Sequence, residues 1–256
     1  MRYGKSPTSS FEERHDLRKR LDVILVDRGL AASREKAQAL ILAGEVMVDG
    51  QKAAKPGHAY TDDVRVEVRN QLPYVSRGGF KLAAALDHWN LSLLNQVCAD
   101  IGASTGGFTD CLLQRGAIRV HAVDVGATQL DWKLQTDARV IVHDHTNART
   151  MTLETLGEPV DLAVADVSFI SVVLILPAIA GILRPQGEMV ILVKPQFEVG
   201  REEVGKGGIV REPALHSAAC DKVNRAVTGL GFRTDLIPSP ILGTEGNREF
   251  LLYGRR

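Results

Sequence analysis

Four charged side chains stand where an α/β sheet places its ligands. Lys81 lies in Ser76-Arg77-Gly78-Gly79-Phe80-Lys81-Leu82, on a helix-length segment ahead of the first strand. Asp166 follows the apolar run 162–164, and Lys194 follows the run 189–193. Glu249 opens the last apolar segment, in Gly246-Asn247-Arg248-Glu249-Phe250. Open α/β sheets bind ligands outside the carboxyl ends of their strands. A lysine ending a buried strand is costly unless it is paired or functional, or snorkels to solvent. Lysines and carboxylates so placed are the groups that move protons or steady a developing charge.

A glycine-rich turn supplies the second chemical signal. Strand 97–101 runs into Asp100-Ile101-Gly102-Ala103-Ser104-Thr105-Gly106-Gly107-Phe108, and a helix follows. Glycines at such a turn allow a ligand close to the backbone. A dinucleotide fingerprint needs glycine where Ser104 stands, and a P-loop needs Gly-Lys-Ser/Thr where Phe108-Thr109 stands. S-adenosylmethionine fits better, since it carries a sulfonium, an ammonium and a carboxylate but no phosphate. Asp100 ends one strand for it. Asp124, 24 residues on, ends the next, where an acid can hold both ribose hydroxyls. Val125 follows Asp124, and Asp144, Thr146 and Asn147 follow the third strand, near the expected adenine. Gly200–Gly207 nearly spells a Walker motif, but Gly207 lacks the hydroxyl that magnesium needs and Glu202 and Glu203 would repel phosphate. Gly205–Gly208 reads instead as a mobile loop beside the site.

The elements that must position these groups follow from periodicity. From Val75 onward, apolar runs at 97–101, 120–123, 140–142, 162–164 and 189–193 alternate with helix-length segments. That alternation predicts a mostly parallel sheet with helices on both faces. His143 and His145 flank Asp144 on a predicted strand, but no third ligand is placed near them, so a non-metal reading is preferred. Trp132 reads as core or a packing lid, and Cys98 and Cys111 as buried small hydrophobes.

The N-terminal part has another pattern. Leu17–Gly29 reads as an amphipathic helix ended by Gly29. Ser33 caps a second helix, Arg34–Ala43, stopped by Gly44. Asp49-Gly50 between short extended runs is a hairpin signal, and Val64, Val66 and Val68 alternate as a further strand. Residues 1–16 are expected to be a flexible basic tail, 17–70 a small α+β domain, 71–75 a linker and 76–256 the α/β domain. The chain holds 31 Lys+Arg and 31 Asp+Glu, yet residues 1–60 carry 11 against 8 and the remaining 196 carry 20 against 23. The excess gathers at Arg14, Arg18, Lys19, Arg20, Arg28, Arg34 and Lys36, as on a module that meets phosphate.

Two family resemblances emerge from these motifs. The text RLDVILVDRGLAASREKAQALILAGEVMVDGQ resembles the RNA-binding domain first seen in small-subunit ribosomal protein four. It implies that the second helix and the hairpin face structured RNA, with Arg34 and Lys36 near phosphates and Arg18 and Arg20 beside them. SRGGFKL, DIGASTGGFTD, AVDVG, ADVSFIS, LVKPQFE, VGKGGIVR and GNREF closely resemble the TlyA (hemolysin A) family of ribosomal RNA 2′-O-methyltransferases, whose catalytic half is FtsJ-like. That resemblance implies a Rossmann-like S-adenosylmethionine-dependent methyltransferase fold with a seven-stranded sheet. It also implies a catalytic tetrad of Lys81, Asp166, Lys194 and Glu249, in which Asp166 and Glu249 flank Lys194. Glu245 is a nearby competitor for the fourth place. The implied cofactor pocket is Asp100, Gly102, Ala103, Ser104, Thr105, Gly106, Gly107, Phe108, Asp124, Val125, Asp144, Thr146, Asn147 and Asp166. Arg77 and Lys206 join the RNA-binding set.

Composition bounds the rest. The longest apolar stretch, 169–183, is interrupted by Ser171, Pro177 and Gly181 and is shorter than the roughly 20 residues of a membrane span. The N-terminus has no apolar run after its charges, unlike a secretory signal, and the three cysteines form no CxxC pair. A cytoplasmic, metal-independent monomer acting on ribosomal RNA or ribosomal subunits, not on DNA, is expected. The competing readings are a non-catalytic RNA-binding relic, a haemolysin and a small-molecule methyltransferase.

Overall fold

The computed structural model describes residues 18–31, 33–53, 55–68, 73–127, 129–243 and 246–256. It divides into two compact units, residues 1–71 and 72–256. The expected tail at 1–16 lies outside the described residues, as do positions 71–72 of the expected linker and Glu245.

The first unit opens with β1 (Lys19–Arg20) and α1 (Leu21–Asp27), then α2 (Arg34–Ala43), β2 (Val46–Val48), β3 (Gln51–Lys52), β4 (Ala59–Tyr60) and β5 (Val66–Val68). Its first helix is shorter than the expected Leu17–Gly29. Lys19 and Arg20 are extended because they pair with Tyr60 and Ala59, so the helix starts at Leu21. Ser33 caps α2 by accepting from the Lys36 amide at 3.3 Å. Asp49 and Gly50 both have positive φ (49° and 78°), as a two-residue hairpin turn requires. Leu21, Ile24, Leu25, Ile41, Val46 and Val64 form the core.

The second unit contains α3 (Gly78–His88), β6 (Val97–Ile101), α4 (Gly107–Gln114), β7 (Arg119–Val123), α5 (Trp132–Gln135), β8 (Val140–His143), α6 (Leu153–Leu156), β9 (Val160–Ala165), α7 (Leu176–Ile182), β10 (Leu183–Val193), α8 (Pro195–Glu198), α9 (Pro213–Gly229), β11 (Arg233–Pro238) and β12 (Phe250–Arg255). Its seven strands lie in the order β11-β12-β10-β9-β6-β7-β8. β12 is antiparallel to both neighbours, and the other pairs are parallel. The order reverses between β6 and β9, which makes their carboxyl ends a topological switch point. Residues 73–75, expected as linker, are anchored to α4. Pro73 O accepts from Gln114 Nε2 at 2.6 Å, the Val75 amide donates to Asp110 Oδ2 at 2.8 Å, and Tyr74 is buried.

Both sheet faces are covered. Ile101, Val123, Ala165, Ile191 and Leu252 pack on one side with Ile179 and Val223. Cys98, Ala122, Val164, Leu192 and Leu251 pack on the other with Leu82 and Leu86 of α3 and Leu112 of α4. Strand side chains alternate with period two. Two residues beyond Cys98, Ala122, Val164 and Leu192 come Asp100, Asp124, Asp166 and Lys194; two before Leu251 comes Glu249. The alternation that builds the α3/α4 core therefore delivers every strand-borne candidate to one face of one sheet end.

Candidate active site

Register brings the candidates level. Ile101 pairs with Val123 and Ala165, and Val193 pairs with Phe250. Asp124 and Asp166 thus follow the carboxyl ends of β7 and β9, on either side of β6, while Lys194 and Glu249 leave adjoining ends of β10 and β12. Lys81 reaches the same place from α3. The lysines and acids form two ion pairs: Lys194 Nζ–Asp166 Oδ1 at 2.5 Å and Lys81 Nζ–Glu249 Oε2 at 2.5 Å. Lys194 also donates to Ser168 Oγ at 2.8 Å. The expected arrangement, with Asp166 and Glu249 both flanking Lys194, differs from this pairing. Glu249 shares the face of Leu251, which packs against α3, so it meets the lysine of that helix.

Between β6, the glycine turn and the two lysines lies a cleft of about 500 Å³. Lys81, Asp100, Asp166, Ser168 and Lys194 line it, with Gly102–Thr105, Gly107 and Phe108 from the turn and Ser76, Arg77 and Leu242 at its border. Asp100 is fully buried. Its Oδ2 accepts from the Thr109 amide at 2.9 Å and the Thr109 hydroxyl at 2.7 Å, while its Oδ1 has no partner among the described residues. Burial, with smaller repulsion from Asp166 and Asp124, raises the Asp100 pKa to about 7. A buried, half-satisfied carboxylate facing a cleft suits the ammonium end of S-adenosylmethionine.

The glycines serve packing more than ligand approach. A Cβ on Gly102 would stand 2.6 Å from Asp166 O, one on Gly106 would strike Leu134, and one on Gly107 would strike Ser76. They let β6, α3, α5 and the Asp166 turn close around the cleft. Ser104 completes the turn at φ 48°.

Asp124 accepts from the Ser104 amide through Oδ2 and the Gly126 amide through Oδ1, both at 2.8 Å. Beside it a cavity of about 10 Å³, lined by Ala122, Gln129, Leu130, Val142 and Asp144, has room for about one water. That volume is too small for an adenine. Val125, Thr146 and Asn147 line neither cavity. Val125 is exposed, the Thr146 hydroxyl donates to Asp144 O, and Asn147 Oδ1 accepts from the Arg149 amide.

Trp132 is 73 % exposed, so it is neither core nor packed lid. Helix α5 instead turns Leu134, with Leu130, onto the Gly106 side. β8 ends at His143, which puts His145 in a turn at φ 54° and separates the two histidines. His143 Nε2 lies 2.9 Å from His121 Nδ1, and His121 Nε2 lies 3.3 Å from Glu158 Oε1. His121 therefore donates to Glu158 and accepts from His143. Burial holds both imidazoles below their ordinary pKa. The three cysteines are buried and unpaired.

Sequence reasoning missed several residues that hold the site. Ser168 steadies Lys194. Buried Glu198 accepts from Ser171 Oγ at 2.5 Å and the Val172 amide at 2.7 Å and pairs with Lys222 at 3.1 Å, which pins the far end of the Asp166–Ser171 turn. Asn247, 1 % exposed, accepts from the Val210 amide at 2.9 Å and donates to Gly208 O at 2.8 Å. With a Gly205–Ile209 bridge, it ties down the loop expected to be mobile. The spacing of two between Asn247 and Glu249 within GNREF, which sets both on one face of an extended segment, is the available signal. Of the cationic candidates here, Arg77 donates to Leu242 O at 3.0 Å and Lys206 is exposed on the tied loop.

Fold and site together define a Rossmann-like methyltransferase joined to a small RNA-binding module. The model of the FtsJ-like methyltransferases matches residues 74–256, and that of the S4 domain matches residues 19–66. The chain is 46% identical over 241 residues to the 16S/23S rRNA (cytidine-2′-O)-methyltransferase TlyA of Mycobacterium tuberculosis, covering 93% of this chain and 90% of that one. A solved structure of a candidate hemolysin from Streptococcus thermophilus superposes with a TM-score of 0.72 at 44% identity, covering 93% of this chain and 88% of that one. A candidate S-adenosylmethionine-dependent methyltransferase from Listeria monocytogenes shares the fold, with a TM-score of 0.53 at 12% identity over 71% of this chain and 99% of that one. The chain belongs to the TlyA (hemolysin A) family of FtsJ-like methyltransferases.

Proposed function

We propose that this chain methylates a ribose 2′-hydroxyl of ribosomal RNA with S-adenosylmethionine as donor. The observation that carries the reading is the pair of lysine–carboxylate contacts, Lys194–Asp166 and Lys81–Glu249, set at one sheet end beside the half-satisfied Asp100. When bound, S-adenosylmethionine supplies an electrophilic methyl group. Asp100 would hold its ammonium end, and Asp124 its ribose.

The residues then have to make a poor nucleophile better. A ribose hydroxyl is a very weak acid, and its oxygen attacks only as its proton leaves. Lys194, oriented by Asp166 and Ser168, stabilises the alkoxide that develops. Lys81, fixed by Glu249, reaches the cleft as a second cation and positions the ribose and its phosphate. Holding the oxygen in line with the methyl group supplies a large part of the acceleration. The first unit delivers RNA, with Arg18, Arg20, Arg34 and Lys36 on its binding face.

The test is transfer of labelled methyl from S-adenosylmethionine to purified ribosomal subunits that lack the modification, with Lys194→Ala alongside. Label in RNA that protects one linkage from alkali, and that disappears in the variant, is expected. Label that leaves every linkage alkali-labile, or that persists in the variant, overturns the assignment.

A further inference from the structure

The basic residues of the first unit have unequal employment. Lys19 sits between Asp27 at 3.3 Å and Asp62 at 3.4 Å. Arg28 donates to Val64 O at 2.7 Å and Asp62 O at 2.6 Å, which fastens α1 to the segment before β5. Arg20 and Arg34 converge instead on Asp22, a carboxylate with no exposed surface. Arg20 holds it with two bonds, Nε to Oδ1 at 3.0 Å and Nη2 to Oδ2 at 2.8 Å. Arg34 Nη2 reaches Oδ2 at 3.4 Å, and Gln38 Nε2 donates to the same oxygen at 2.9 Å. Both arginine side chains stay about half exposed, at 50% and 54%.

We infer that Asp22 is a positioning residue for RNA binding, which sets Arg20 and Arg34 as a paired fork for backbone phosphate. The inference rests on the RNA-binding reading of this unit proposed above. A guanidinium has five donors in a rigid plane, so an arginine bound to Asp22 along one edge still offers N–H groups along the other. A free arginine loses rotamer entropy when it grips phosphate; one already tethered loses less. Two guanidiniums on one carboxylate also leave a local net charge of +1.

Charge and positioning make opposite predictions. Asp22→Asn removes a buried negative charge from beneath two half-exposed arginines, and long-range electrostatics alone would tighten RNA binding. Positioning requires that it weaken. Binding of the full chain to purified ribosomal RNA would be measured over a salt series for wild type, Arg20→Ala, Arg34→Ala, Asp22→Asn and Arg20→Lys. Circular dichroism and thermal melting would accompany each variant.

Each alanine variant should weaken binding by about 5- to 10-fold and flatten the log–log salt slope by about one. Asp22→Asn should weaken it by roughly 3- to 10-fold, and in methyl transfer the loss should fall on KM for RNA with kcat retained. Arg20→Lys keeps the charge and the fold without the two-bond fork; it should bind several-fold more weakly with the salt slope of wild type. Asp22→Asn at or above wild-type affinity, or Arg20→Lys at wild-type affinity, overturns the positioning role while the RNA face stands. Wild-type binding by both alanine variants removes the RNA face itself, and the fork with it.

Discussion

Asp22 and Asp100 are both buried carboxylates, one in each unit, and their surroundings differ in one respect. Asp22 receives donors from Arg20, Arg34 and Gln38 on its two oxygens, and the Arg20 bonds above all hold its pKa well below the usual carboxylate range. Asp100 has donors on Oδ2 alone, and burial lifts its pKa to about 7. Glu198 belongs with Asp22, since Ser171, Val172 and Lys222 satisfy it. Asp22 and Glu198, filled by their own chain and lining neither cavity, organise neighbours. An acid left with a bare buried oxygen beside a cleft is set for a ligand.

Removing the reacting cation should have the largest effect. Lys194→Ala is expected to lower kcat for methyl transfer by about 10²–10³-fold, roughly 3–4 kcal/mol, with cofactor affinity nearly unchanged. A comparable fall in cofactor affinity would move Lys194 from chemistry to binding.

Next comes the pH dependence of stability. Asp100 goes from 3.8 to about 7 on folding, so between those values the folded chain keeps a proton that the unfolded chain has lost. Its contribution is fully present below pH 3.8 and is lost as pH rises through 7. Asp100→Asn should therefore gain on wild type by on the order of 3 kcal/mol between pH 4 and pH 8, read by denaturant unfolding of the second unit. Asp22 behaves oppositely. Its contribution is present above pH 3.8 and fades as pH falls below that, so Asp22→Asn should lose its deficit only in strong acid.

Glu198→Ala leaves the Val172 amide and the Ser171 hydroxyl without their acceptor, while Lys222 keeps its bond to the backbone carbonyl of residue 198, and should destabilise the second unit by about 1–3 kcal/mol in denaturant unfolding. The smallest effect concerns His121 and His143, whose folded pKa values lie below the ordinary 6.5. Stability from this pair is complete above pH 6.5 and declines as pH falls through the folded values. His143→Gln should remove part of that acid-side loss in a melting-temperature profile.

Much of the site was legible because strands alternate. Asp100, Asp124, Asp166, Lys194 and Glu249 keep the period of the apolar residues beside them, so local pattern alone put them at strand ends. The Arg34–Ala43 helix was equally plain from Ser33 and Gly44. What escaped notice depends on contacts far apart in the chain. Asp22 meets Gln38 16 residues away, Glu198 meets Ser171 27 away and Asn247 meets Val210 37 away, and no periodicity announces such pairs. The early start given to the first helix had the same origin, since Lys19 and Arg20 are drawn into a strand by Tyr60 and Ala59. Trp132 looked buried by residue type, yet the turn it opens faces the cleft loop with Leu134 instead.

The most direct measurement is calorimetric titration of the full chain with S-adenosylmethionine, in the presence of ribosomal RNA, at pH 6 and pH 8. Wild type should bind more tightly at pH 8, where Asp100 is ionised and can hold the ammonium. Asp100→Asn should bind at least about 10-fold more weakly at pH 8, as loss of a charge-assisted hydrogen bond implies, and should gain less than wild type between the two pH values. Equal affinity of wild type and Asp100→Asn at pH 8 would contradict the claim that the bare Asp100 oxygen is the cofactor's anchor.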